Sequence, residues 1–159
     1  MANDAVMGED QAMLEYLSAA QAVQSLLKQI LSQVGGYALL LMTSKNSHLQ
    51  PVEAIISAQK AVEQAMDDVR ALRVPADAAH HYHHLKKAAQ ATCWTFAAAD
   101  ACRRAGADEV ERDALARALR TATGHLRTTA GLLPGFELVD FGQACCAMHA
   151  QMANSERSA

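Results

Sequence analysis

Four successive stretches of this chain carry an apolar stripe that recurs every three or four residues, and nowhere does apolar alternate with polar as a half-buried strand would require. That pattern restricts the chain to helices packed on helices. From about residue 9 to 43 the stripe is Met13, Tyr16, Ala20, Val23, Leu27, Ile30, Leu31 and Val34. Gly35-Gly36 would stop a helix on propensity, yet Tyr37, Ala38, Leu41 and Met42 keep the same phase, so a kinked extension to about Thr43 is favoured over a stop. From 51 to 73 the stripe is Ile55, Ala58, Val62, Ala65, Met66, Val69 and Leu72. A third helix over 76–105 turns His81, Tyr82, Leu85, Ala88, Ala89, Thr92, Phe96 and Ala99 inward, with Pro75 at its start and Gly106 as its stop. The fourth, over 108–132, offers Leu115, Ala118, Leu119, Ala122, Leu126, Ala130 and Leu133, and Pro134-Gly135 closes it.

Leu138, Phe141, Cys145, Met148 and Met152 add a short fifth stripe over 137–152. Short breaks at 44–50, around Pro75 and at Gly106 favour antiparallel neighbours. The expected fold is one domain, residues 1–159: an all-α, up-and-down antiparallel four-helix bundle with a short fifth C-terminal helix. About 8 residues at the N-terminus and about 6 at the C-terminus should fray.

Composition narrows the partners. Hydrophobic residues make up 51% of the chain but aromatics only 4%, so alanine supplies much of the interior and the helices must approach closely. A formal charge of −3 with interspersed basic residues argues against nucleic acid or an anionic membrane as the main partner. The longest strongly apolar run, residues 37–42, is far too short to span a bilayer, and the N-terminus has acids where a secretory signal needs bases. Cys93 and Cys102 lie about 13 Å apart along one helix, and Cys145 and Cys146 are adjacent. Neither pair suits a disulfide, so four reduced thiols and a cytoplasmic location are expected.

Most of the chemistry lies in the third helix, which holds four of the seven histidines, two of the four cysteines and the only tryptophan. His80 and His84 share a flank at the i,i+4 spacing at which two imidazoles can hold one metal ion. In a hairpin turning at Gly106, His125 of the fourth helix comes within about one turn of His84, roughly 6 Å along the axis. His80, His84 and His125 are therefore the candidate metal ligands, for zinc or another divalent ion. The alternative is a solvated cluster with no cofactor. Cys145, Cys146 and His149 also have helical spacings that a metal could use. A di-iron carboxylate centre is not expected, because Glu53, Glu63, Asp67 and Asp68 fall outside the inward stripe.

The outer side of the same helix carries Trp94, Ala97, Ala98 and Ala101, a large apolar ring among small residues that calls for cover. A second copy, another protein or the C-terminal helix could supply it. Asp100, Arg103, Asp108, Glu111 and Arg112 should form a solvated ion-pair network at the turn between the third and fourth helices.

The run His83-His84-Leu85-Lys86-Lys87-Ala88-Ala89 resembles the core of histidine phosphotransfer domains, four-helix bundles in which an exposed histidine is followed by leucine at the second position, lysine at the third and usually glycine at the fourth. The resemblance implies His83 as phospho-acceptor; Lys87 departs from the pattern where a receiver domain would approach. It covers about seven residues. With no inward carboxylate pair, phosphate loop or nucleophile motif, an enzyme is not expected. The leading expectation is a structural or protein-interaction module, a homo-oligomer such as a homodimer or a binder of another protein. Histidine-mediated metal or ligand binding is the alternative, and histidine phosphotransfer the second.

Overall fold

The computed structural model describes residues 2–133. Among them there are four α-helices and no strand: α1 (Ala2–Thr43), α2 (Glu53–Ala71), α3 (Ala79–Arg104) and α4 (Glu109–Leu132), with single 3-10 turns at Ser47–Leu49 and Ala76–Ala78. The helices pack together, α3 most extensively on α4, α1 on each of the other three, and α2 on α1 and α3. No helix among the described residues is long and apolar enough to cross a membrane. The fifth helix expected near 137–152, with Cys145, Cys146 and His149, lies outside the described residues.

The inward stripes are the ones periodicity picks out. Tyr16, Ala20, Val23, Leu27, Ile30, Val34, Tyr37, Ala38 and Leu41 of α1 are all buried, so one face stays in phase through Gly35-Gly36. Met42, one residue before the end of α1, is exposed instead. In α4 the innermost residue near the C-terminus is Thr129 rather than Ala130, which is only half-buried. The helix termini shift too. α1 begins at Ala2. Pro75 does not open α3; its extended backbone precedes the 3-10 turn, and the α-helix starts at Ala79.

The connection from α3 to α4 is the tightest in the chain. Gly106 and Ala107 both take the left-handed conformation, at φ 68° and 57°, and the Ala107 amide donates to the Cys102 carbonyl at 2.7 Å, closing the helix end. For alanine this costs about 1 kcal/mol. Its methyl group is buried against the core, which offsets that cost. Asp108 then caps α4, its carboxylate accepting from the Glu111 amide at 2.9 Å.

The two mid-helix glycines of α1 answer no steric need, since a Cβ on Gly35 or Gly36 would meet nothing within 4 Å. Gly36→Ala should therefore stabilise the fold by about 0.5–1 kcal/mol, by lowering the entropy of the unfolded chain and favouring the helix. Thermal unfolding should show a rise of about 2–4 °C per kcal/mol; a fall would mean that the helix does not run straight through this point.

Candidate functional site: a histidine edge and an outward tryptophan

Successive residues of a helix step by about 100°, so the four histidines of α3 face different ways. His81 points inward and is 2% exposed. Its Nδ1 lies 2.7 Å from the phenol oxygen of Tyr16 on α1, the two rings meeting edge to face. The phenol donates when the imidazole proton sits on Nε2. Burial first, and then the nearby His84, lower the His81 pKa to about 4. Burial first, and then Tyr82, raise that of Tyr16 to about 12. With their pKa values moved apart in this way, both groups are neutral at pH 7.

A second polar contact crosses the interior between α1 and α4, where Thr129 Oγ1 donates to Gln24 Oε1 at 3.1 Å. Neither pairing was read from the sequence. The spacing marks the members but not the pairing: Tyr16 and His81 sit on inward stripes, and Gln24 lies between Ala20 and Leu27 in the same phase.

On the edge facing α4 the structure brings together the three histidines singled out by spacing, and adds a fourth. The His84 ring lies with its centroid 4.9 Å from that of His80, 5.4 Å from that of His83 and 5.9 Å from that of His125. His84 is half-buried, and its Nδ1 is buried without a hydrogen-bond partner. Burial and, after it, the would-be cations His80, His83 and His125 lower its pKa. Among the described residues no group of three or more His, Cys, Asp or Glu side chains is placed so that it could hold a metal ion.

Trp94, on the outer side of α3, is 65% exposed. Ala97 beside it is exposed as well, while Ala98 and Ala101 are half-buried, so the open part of this face is narrower than spacing alone implied. Next to Trp94 a groove of about 350 Å³ runs between α2 and α3, lined by Ile55, Ile56, Cys93, Phe96 and Ala97. Ile56 is itself 43% exposed.

The expected ion-pair network at the α3–α4 turn divides in two. Asp100 pairs with Arg103 and Arg104, each at 3.0 Å, and Arg103 also donates to the His48 carbonyl at 3.3 Å. Asp108 is occupied in capping α4, and Arg112 donates to its main-chain carbonyl rather than to a carboxylate. Around the phosphotransfer-like run, His83 is exposed, Leu85 fully buried and Lys87 exposed. Cys93 and Cys102 are free thiols. No protein-family model matches the chain, and no curated protein or solved structure proved similar to it.

The buried imidazole makes stability depend on pH. With an ordinary value of 6.5 unfolded and about 4 folded, His81 binds a proton in the unfolded chain, and not in the folded one, between those pH values. Its contribution is therefore complete above about pH 6.5 and is lost progressively as pH falls to about 4, a change on the order of 3 kcal/mol at most. Urea unfolding at pH 7.5, 5.5 and 4.5 should show this slope in the wild type and a shallower one in His81→Gln. Equal slopes would mean that His81 takes up its proton without leaving the core.

Proposed function

We propose that this chain is an up-and-down antiparallel four-helix bundle, completed by a short C-terminal helix, that works as a cytoplasmic protein-interaction module by pairing with a second copy of itself through the outer face of α3. The observation that carries this reading is Trp94, the only tryptophan, lying 65% exposed on the helix whose Cys93, Phe96 and Ala97 line a groove with Ile55 and Ile56, together with Gln59, Glu63 and Asp100. A tryptophan in water leaves a large apolar surface hydrated, and an amphipathic ring of that size is a favoured anchor of protein contacts. Trp94 stands near the middle of α3. A twofold axis through that point would bring the two α3 helices together antiparallel, with each Trp94 placed to enter the groove of the other copy. The alanines at 97, 98 and 101 let two helix backbones approach closely.

Multi-angle light scattering and sedimentation over a wide range of concentration test the pairing. The expected result is a monomer–dimer equilibrium, with a blue shift of the single tryptophan emission as dimer forms. Trp94→Ala removes the contact from both copies at once and should weaken association by about 1000-fold, the effect of losing two contacts worth roughly 2 kcal/mol each. A monomer at every concentration, with fully solvated tryptophan emission, would remove the reading.

A further inference from the structure

We propose that the histidine edge is a proton-operated joint: protonation of the imidazoles around His84 drives the C-terminal end of α4 off α3, while the turn at Gly106 and Ala107 keeps the other end of the pair closed. The joint lies on the α3–α4 seam and is separate from the pairing through Trp94, which stands on the outer side of α3.

Geometry carries the argument, and His84 is its hub. Three other imidazoles surround that ring, with centroids 4.9 Å (His80), 5.4 Å (His83) and 5.9 Å (His125) away. Cationic rings at such distances repel one another. His80 and His83 share α3 with His84, but His125 belongs to α4, so part of the repulsion acts across the seam. His84 is also half-buried, and its Nδ1 is buried without a hydrogen-bond partner. An imidazolium carries a proton on both ring nitrogens, so a charged His84 would hold one donor with no acceptor while the seam stays closed.

The surroundings give no relief. The charges that act on His84 are those of His80, His83 and His125, none of them a carboxylate, and each opposes its protonation. Asp77, in the 3-10 turn ahead of α3, is exposed and is not among them. The first turn of α3 has no acidic residue, and the positive end of the helix dipole lies there. Two residues beyond His125, α4 carries another base, Arg127. α1 meets this end of α3 through Tyr16, whose phenol is bonded to His81 and is neutral. α2 meets α3 on a different flank, at Lys86, Ala89 and Gln90, and its Arg70 is paired with Asp67.

Where the seam gives way follows from what holds each end. Near the turn, the Ala107 amide closes α3 and Asp108 caps α4. At the far end the last turns of α4 rest on Leu126, Leu133 and the Thr129–Gln24 hydrogen bond. His125 sits among these. A helix end held by so few contacts opens at a lower cost than the whole fold. Histidine changes charge within the range between pH 5 and 8. Burial and the neighbouring imidazoles lower the His84 pKa from its ordinary 6.5, so the unfolded or opened segment binds the proton more readily than the closed one. Closure is therefore complete above about pH 6.5 and weakens as pH falls.

The test is hydrogen–deuterium exchange read by mass spectrometry at pH 7.5, 6.5 and 5.5, corrected for the intrinsic pH dependence of amide exchange. Between pH 7.5 and 5.5, protection over residues 122–133 should fall about tenfold further than over 109–120, as local opening of the far end requires. Comparing the two halves of α4 removes any loss of global stability, including that from His81. His84→Gln should abolish most of the difference, His80→Gln and His125→Gln should each reduce it, and His81→Gln should leave it unchanged. Circular dichroism establishes that each variant is folded, and His80→Gln alters an exposed side chain, so its result does not depend on the core. Equal falls in the two halves of wild-type α4 would overturn the joint. So would a difference that persists undiminished in both His84→Gln and His80→Gln.

Discussion

The interior is built from small side chains, and that sets the terms for everything else. Ala20, Ala58, Ala65, Ala88, Ala89, Ala99 and Ala122 are all essentially inaccessible, and the whole chain has only three phenylalanines and one tryptophan. Helices that meet over alanine come close together, which leaves little room for water around any polar atom trapped between them. A buried polar group is then satisfied only by a neighbouring helix or its own backbone, and the Tyr37 hydroxyl and His84 Nδ1 find neither. Tyr16 and His81 do the first, as do Gln24 and Thr129. Thr92 and Thr95 do the second, donating to the carbonyls of Ala88 and Thr92 at 2.8 and 2.7 Å. Apolar contact over alanine is tolerant of small shifts along a helix, whereas a phenol meeting an imidazole is not. The cross-helix pairs therefore specify how α1 sits against α3 and α4.

Helix identity and inward faces were legible because a 3.6-residue period needs only residue types to be seen. The stripe of α3 is the clearest case: of its eight inward residues only Tyr82 is less than buried. Gly35-Gly36 was a real conflict between propensity and phase, and phase prevailed because Tyr37, Ala38 and Leu41 bury on the same face beyond it. Partners across helices were not legible. Nothing in the spacing of Tyr16 says which residue 65 positions away will meet its hydroxyl, since this depends on relative shifts along the axes that no one-dimensional pattern encodes.

The histidine edge was more accessible, for a specific reason. His80 and His84 are related by local geometry, and His125 by a hairpin whose turn is marked in the sequence by Gly106, so the register could be counted outward from the turn. The approach of His83 to His84 was missed because residues one apart on a helix point about 100° away from each other, and long side chains can still close that gap. On the Trp94 face, Trp94 and Ala97 are exposed, while Ala98 and Ala101 are half-buried.

α3 thus serves three directions at once, with His81 and Leu85 turned to the core, His80 and His84 to the seam with α4, and Trp94 to solvent. The seam inherits its alignment from the two left-handed residues, Gly106 and Ala107, that join the helices. One extra residue within α4 ahead of Leu126 and His125 would roll the rest of the helix by about 100° and slide it about 1.5 Å, carrying Leu126 off the core and His125 away from His84. Cohesion of the interior and closeness of the imidazoles are thus set by the same count of residues along α4, and neither can be altered in this way without the other.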